Sequence, residues 1–226
     1  KFCQKIIKKN WNITWQMPSG TRSEALDEET LGLMMLSGQK HISYAPESAS
    51  KTTLQKIKKK IKVENMKKSI RSALSKGMSV KLNLMLGFPD ETHKEMLETL
   101  KFVMDAAFMG VSDVYLASFA PYPGSELFDQ MYENGQIPKL DDEYFLNLTS
   151  YTDLLHSYSY SRHVSHRMLA FYRIGGMLMF YIFSFVLRPK RIFRLISNII
   201  NKREESKIEK GIFQMMDRFK RSKKPL

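Results

Sequence analysis

A strand of strict alternation sits near the middle of the chain and ends in a distinctive turn. Residues 78–86 put Val80, Leu82, Leu84 and Leu86 on one face and Lys81, Asn83 and Met85 on the other, because successive strand side chains point to opposite sides. Gly87-Phe88-Pro89-Asp90-Glu91-Thr92 follows at once. An earlier strand, residues 41–45, runs into Pro46-Glu47-Ser48, and Pro121-Tyr122-Pro123-Gly124-Ser125 follows a later one. Helical stretches separate these strands, so the chain reads as parallel βα units with right-handed crossovers. In an α/β barrel the C-terminal strand ends gather ligands and catalytic groups.

The punctuation between strands supports that order. Residues 13–17 form a short first strand. Asp27 is a good N-cap for a helix ending near Gly38, and Ser50 for one reaching residue 57. A helix over 63–76 closes at Gly77. Thr92 and Glu95 make a capping box for a helix to residue 109. A strand over 113–119 follows, and Ser125 caps a short helix ending near Gly135. The apolar strand faces should point outward, under the helices. Lys81, Asn83 and Met85, with His41, Ser43, Ala45 and Glu47, should point into the lumen. Ordinary barrels fill that space with branched apolar residues, so polar lumen residues suggest a ligand there.

The 226 residues, 43% of them hydrophobic, suffice for one sizeable core and an appended segment. The chain opens on Lys1 inside what reads as a helix end, and we expect it to be N-terminally truncated. Net charge is +13, of which +9 lies in residues 188–226. Such a basic tail suits an anionic membrane surface or nucleic acid, or is simply a solvated helix. Cys3 is the sole cysteine, which excludes a disulfide within the chain and reads as a small apolar helix residue. Residues 141–155 read as a helix carrying Tyr144, Phe145 and Tyr151. Residues 168–187 are strongly apolar but broken by Arg173 and Gly175-Gly176. The uninterrupted part, 174–187, falls short of the ~20 residues of a spanning helix. The segment is either a core helix or one lying on a membrane. No Walker loop, GxGxxG, HExxH or nucleophile elbow occurs. His93, His156, His163 and His166 read as surface or loop residues and His41 as lumenal, and the five histidines offer no convergent metal set. No residue here is assigned a catalytic or metal-ligating role.

The succession Arg22, Leu26-Asp27, Gly38, Ile42-Ser43-Tyr44-Ala45-Pro46-Glu47-Ser48, Leu54 and Lys59, then residues 87–92 and 121–125, resembles the second half of a radical S-adenosylmethionine (SAM) domain. The likeness is to the subgroup with an upstream cobalamin-binding domain. It implies an α/β fold, the second half of a partial (β/α)6 barrel with parallel strands and outer helices, over residues 1–138. An α-helical C-terminal extension over 139–226 would carry the apolar helix 168–187 and the basic tail.

The family holds a 4Fe–4S cluster on a three-cysteine loop. That loop is absent here, and Cys3 lies elsewhere, so the cluster ligands are expected on upstream sequence. The resemblance places Glu47 and Ser48 near SAM, with Glu47 accepting from ribose or amino donors. It pairs Lys59 with the SAM carboxylate, although a lysine run is by default solvated. It puts Asn83 near the ribose, or else as a satisfied core amide. Met85 and the Gly87-Phe88-Pro89 backbone would flank the adenine, and Tyr122 and Gly124 would lie near adenine or substrate. Gly87 would allow close backbone approach. Pro89 also serves as a turn former, and Glu91 and Thr92 read as helix caps.

The implied activity is reductive cleavage of SAM to a 5′-deoxyadenosyl radical, used for methyl transfer, cyclisation or rearrangement on an unactivated carbon. It belongs to the full-length protein, a methyltransferase or cyclase with cobalamin as a candidate further cofactor. This chain alone is expected to be inactive. The alternatives are a non-catalytic SAM- or nucleotide-binding remnant and a membrane-associated scaffold using the basic tail. The substrate would be a small molecule or a lipid- or porphyrin-like compound, and the electron donor a flavodoxin or ferredoxin. A cytoplasmic location is expected, with peripheral inner-membrane contact through residues 168–226. Nucleic acid is not an expected partner, because the tail has little aromatic interleaving.

Overall fold

The computed structural model describes residues 1–21, 26–137, 139–149 and 157–222. Arg22, Tyr151, His156 and the end of the helix expected over 141–155 lie outside the described residues. Four parallel strands form one sheet in sequence order: β1 (Trp15–Thr21), β2 (Gln39–Glu47), β3 (Ser79–Leu86) and β4 (Asp113–Ser118). The α/β class with parallel strands and outer helices, read from the sequence, is borne out.

The strand faces divide as the alternation requires. Val80, Leu82, Leu84 and Leu86 are fully buried, whereas Lys81, Asn83 and Met85 are half-buried. The buried set joins the main core with residues of α4 (Val63–Ser75), including Met66 and Ile70. Met96, Val103 and Ala107 of α5 (His93–Met109) belong to the same core. β3 and β4 keep unbroken register from Lys81↔Asp113 to Leu86↔Ser118. The β2–β3 register breaks between Tyr44 and Glu47, where Glu47 adopts a left-handed φ of 68°.

Caps set most of the helix starts. Asp27 accepts from the Thr30 N–H at the start of α2 (Glu28–Leu36). Thr92 and Glu95 form the capping box of α5. Ser125 accepts from the Phe128 N–H at the start of α6 (Glu126–Glu133). Ser50 precedes α3 (Lys51–Lys56) but does not cap it through its side chain. Its buried Oγ has no hydrogen-bond partner. Ser48 Oγ instead accepts from the Ser50 N–H at 3.1 Å. β1 begins at Trp15, two residues later than expected, because residues 11–14 carry the chain from α1 (Phe2–Lys8) to the sheet edge. Further on, α7 (Asp142–Leu148) is capped by Asp141.

The apolar segment becomes α8 (His166–Leu187), which packs along α5 and β4. Leu169, Met177, Phe180 and Tyr181 enter the main core. A Cβ at Gly176 would lie 2.5 Å from Leu100 Cδ2 and 2.8 Å from Leu116 Cδ1, so glycine is what lets the helix approach. Arg173 is fully buried, donating from Nε to the Leu116 carbonyl and from Nη1 to Ser157 Oγ. By length and composition α8 is the one described helix apolar enough to cross a membrane.

The basic tail is folded against the sheet. After α9 (Lys190–Ile200), the chain returns and begins α10 (Lys207–Ser222). The Lys207 N–H donates to Asp113 Oδ1, and its ammonium sits 4.1 Å from the Tyr115 ring centroid. Lys81 Nζ donates to the Glu205 carbonyl at 2.7 Å. Part of the polar lumen face is therefore covered by the chain's own C-terminal segment.

Candidate functional site

A cleft of about 630 Å³ opens at the C-terminal strand ends. Three chain turns build it. β2 ends at Glu47, β3 leads into Gly87-Phe88, and β4 leads into Phe119-Ala120 and the 121–125 turn. Glu47, Lys59, Met85, Phe88 and Tyr122 all line it. The sequence pattern missed Ile57, Lys58, Phe119 and Glu126, which complete the wall. Phe119 is the last residue of the strand read over 113–119 and the first past β4 in the structure, a position at the C-terminal strand end that could have marked it.

Glu47 and Lys59 form the polar centre. Lys59 Nζ donates to Glu47 Oε1 at 2.8 Å and to the Ala45 carbonyl at 3.0 Å. Both side chains remain partly open, 19% exposed for Glu47 and 34% for Lys59. The pair thus offers an ammonium to a ligand carboxylate and a carboxylate to ligand N–H or O–H donors. Apolar groups line the same cleft. Phe88 and Phe119 sit 5.0 Å apart, and Tyr160 meets Phe119 edge-on at 6.3 Å. Lys58 and Glu126 form an exposed ion pair from α3's end to α6. Tyr144 donates its hydroxyl to the Pro121 carbonyl and so ties α7 to the 121–125 turn.

The remaining expected residues lie around the cleft. Ser48 is buried, hydrogen bonded to Thr99 Oγ1 at 3.0 Å. Pro89 is buried and its carbonyl accepts from the Arg162 N–H. Gly124 has a φ of 85° in an open turn. Gly87 has a φ of 90°, and a Cβ there would meet Leu169 Cδ2 of α8 at 2.9 Å. Its missing side chain therefore faces the packed helix. Asn83 shares a strand face with Met85 but lines a second cavity of about 670 Å³ with His41, Ser43 and Lys81.

Glu91 does not cap α5. It is 1% exposed, and its Oε2 accepts from the Gly87 N–H at 2.7 Å and the Phe88 N–H at 3.3 Å. Burial pushes its carboxyl up to about 7, opposed by those two backbone donors. The turn that presents Phe88 to the cleft is thus held from behind by a buried carboxyl.

A zwitterionic pair beside an aromatic wall, at the C-terminal ends of parallel strands, is the arrangement of a ligand-binding α/β protein. Residues 2–103 match the family model described as the Radical SAM superfamily, and the family resemblance read from the sequence is borne out. The chain is 24% identical over 137 residues to the anaerobic magnesium-protoporphyrin IX monomethyl ester cyclase of Rubrivivax gelatinosus, covering 61% of this chain and 24% of that protein. It is 32% identical over 134 residues to the cytidylyl-2-hydroxyethylphosphonate methyltransferase of Streptomyces wedmorensis, covering 56% of this chain and 24% of that protein. The chain therefore spans about a quarter of the length of these two relatives. Among solved structures, the radical S-adenosylmethionine methyltransferase TsrM of Kitasatospora setae superposes with a TM-score of 0.49 at 12% identity, over 62% of this chain and 28% of that one.

The family implies SAM and a 4Fe–4S cluster. The strand-end cleft suits the first, with its paired ammonium and carboxylate and its apolar walls. The residues present do not suit the second. A cluster of this kind needs three thiolates, the chain has one cysteine, and Cys3 sits on α1. Among the described residues no group of three or more His, Cys, Asp or Glu side chains converges to hold a metal ion.

Proposed function

We propose that this chain supplies the SAM-facing wall of a radical SAM active site. The observation that carries the reading is the Glu47–Lys59 pair in a cleft that Phe88 and Phe119 also line. Lys59 engages the SAM carboxylate, while Glu47 accepts hydrogen bonds from its ammonium or ribose hydroxyls. Met85, Phe88 and Phe119 exclude water from the adenine side. Tyr122, which lines the same cleft, belongs to this reading, and so does Asn83 by the family resemblance, although its side chain lines the second cavity. The cluster thiolates come from outside these residues.

In the full-length protein, reductive cleavage of SAM supplies a 5′-deoxyadenosyl radical for methyl transfer, cyclisation or rearrangement, with cobalamin as a candidate further cofactor. A small-molecule or lipid- or porphyrin-like substrate, a flavodoxin or ferredoxin donor and a cytoplasmic setting complete the reading. Peripheral contact with the inner membrane surface through residues 168–226 is part of it. The chain alone is inactive, and residues 139–226 act as a helical extension.

Equilibrium dialysis of SAM against the full chain tests the reading. Saturable binding is expected, weakened about tenfold or more by Lys59→Ala, which removes a charge-assisted hydrogen bond. Binding of SAM unaffected by Lys59→Ala and Glu47→Gln would place the ligand elsewhere.

A further inference from the structure

The C-terminal helices expose an apolar surface that the rest of the chain leaves uncovered. On α8 the buried residues Leu169, Arg173, Met177, Phe180 and Ser184 face the body. The opposite side of the helix is apolar along its length. Phe171 is 69% exposed and Val186 73%, with Ile174, Leu178 and Ile182 also exposed between them. At 3.6 residues per turn these positions form one stripe.

The next helix repeats the arrangement. Asn198 faces the body, buried and bonded to Glu209. Ile192, Phe193, Ile196 and Ile200 lie on the far side, with Phe193 72% and Ile200 73% exposed. The two helices meet at the corner around Pro189, with Val186 and Leu187 exposed just before it and Ile192 and Phe193 just after.

Within the segment from residue 154 to residue 203 the charge has one sign, and the first acidic residues, Glu204 and Glu205, share a cavity wall with Arg194. No Asp or Glu occurs from residue 154 to residue 203, while that stretch carries nine Lys and Arg. Arg188 and Arg191 point back into the protein, donating to the carbonyls of Ala107, Phe108, Gly110 and Val111 at the end of α5. Lys190, Arg194, Lys202 and Arg203 are exposed. An exposed apolar stripe flanked by exposed cations such as Lys190 and Lys202 is the pattern of an interfacial membrane helix.

We infer that α8 and α9 dock the protein on an anionic lipid bilayer, lying in the plane of the interface with their outer stripes in the acyl boundary. A spanning α8 is excluded by its other face. Arg173 is bonded to the Leu116 carbonyl, Gly176 is wedged against Leu100 and Leu116, and Tyr181 donates to Asp113. Crossing a bilayer would strip all three from the sheet and leave the buried guanidinium unpaired. The free basic side chains contact lipid headgroups. The inference rests on the peripheral-contact part of the proposed function and makes no use of its SAM chemistry.

Vesicle sedimentation of the full chain tests it, with phosphatidylcholine alone and with phosphatidylcholine and phosphatidylglycerol in equal parts. Binding to the anionic vesicles and little to the neutral ones is expected, decreasing as salt is added. Lys190→Glu with Arg194→Glu should weaken that binding about tenfold or more. Phe193→Ser with Ile200→Ser should remove it, and Leu178→Ser should weaken it independently. All these positions are exposed, so the unfolding midpoint and SAM binding should be unchanged. Binding to neither vesicle, or equal binding to both, overturns the inference. So does a concentration-dependent dimer in sedimentation velocity that Phe193→Ser abolishes, which would assign the face to a second copy of the chain. Lost lipid binding with SAM binding intact counts against the docking face alone, and the converse counts against the SAM site alone.

Discussion

The carboxyl of Glu91 accepts the backbone N–H of Gly87 at 2.7 Å, across the turn that joins β3 to α5. Gly87 has φ 90°, and the next residue, Phe88, lines the strand-end cleft. The same carboxyl takes the Phe88 N–H and faces Thr53 Oγ1 of α3 at 3.5 Å. One buried group thus ties the turn's backbone to α3, and the cleft wall depends on it.

This relationship predicts a pH dependence of stability. Unfolded, the Glu91 carboxyl titrates near its ordinary value of 4.5, and in the folded protein near 7 because burial disfavours the anion. Between these values the folded state holds a proton that the unfolded state has lost. Stability contributed by this group is therefore present below about 4.5 and declines as pH rises through 7, by on the order of 3 kcal/mol. Urea unfolding at a series of pH values should show that slope, and Glu91→Gln should flatten it. An unchanged slope in the variant would assign the titration to another group.

Gly87 answers two constraints at once. Gly87→Ala forces a side chain into a left-handed backbone and against Leu169, which should cost about 2 to 4 kcal/mol. Leu169→Ala opens the space but leaves the backbone strain. The double variant should therefore be less destabilised than the sum of the singles, and a double-mutant cycle from urea unfolding measures the difference. Strict additivity would mean that the two residues do not crowd each other.

Glu47 is strained at the centre of the candidate site. Its φ of 68° disfavours any residue but glycine, while its partly exposed ion pair with Lys59 contributes about 1 kcal/mol or less. Glu47→Gly should leave the unfolding free energy within about 1 kcal/mol of the parent, because lost pairing and relieved strain oppose one another. SAM binding should fall about tenfold or more in the same variant. A large loss of stability would make the pair structural.

Arg191 closes the end of α5. Its guanidinium donates to the carbonyls of Gly110 and Val111, both at 2.8 Å, and to Ser184 Oγ. Arg191→Ala leaves those acceptors without the charged donor and should destabilise the protein by about 1 to 3 kcal/mol. Hydrogen exchange should show faster opening of α8 and the last turn of α5. Exchange confined to α9 would mean that the contact does not hold the C-terminal helices to the sheet.

Much of the frame was legible in the residues. The alternation over Val80, Leu82, Leu84 and Leu86 identified the buried face of β3 because burial follows a period of two. Asp27, Thr92 with Glu95, and Ser125 marked helix starts because a cap and the N–H it accepts from lie three residues apart. Ser48 and Ser50 show the limit of that rule. Spacing predicts Ser50 as the cap, yet Ser48 Oγ, packed against Thr99 fifty-one residues away, is the one that accepts the Ser50 N–H.

Asn83 and Met85 make the same point for the site. Alternation places both on the lumen face, yet Met85 lines the strand-end cleft and Asn83 the lower cavity beside residues 204–210. Which polar residues meet a ligand and which meet the chain's own tail depends on contacts more than a hundred residues apart, as between Lys81 and Glu205.

The sequence by itself determined the strand–helix order, the faces of the strands and the caps of α2, α5 and α6, because each rests on local spacing. Only the tertiary structure decided that Glu91 holds the Gly87 turn, that Gly87 and Gly176 make room for α8, and that the basic tail folds back over the sheet. These follow from close approach of distant segments. The buried donors and acceptors must find partners wherever the packed chain supplies them.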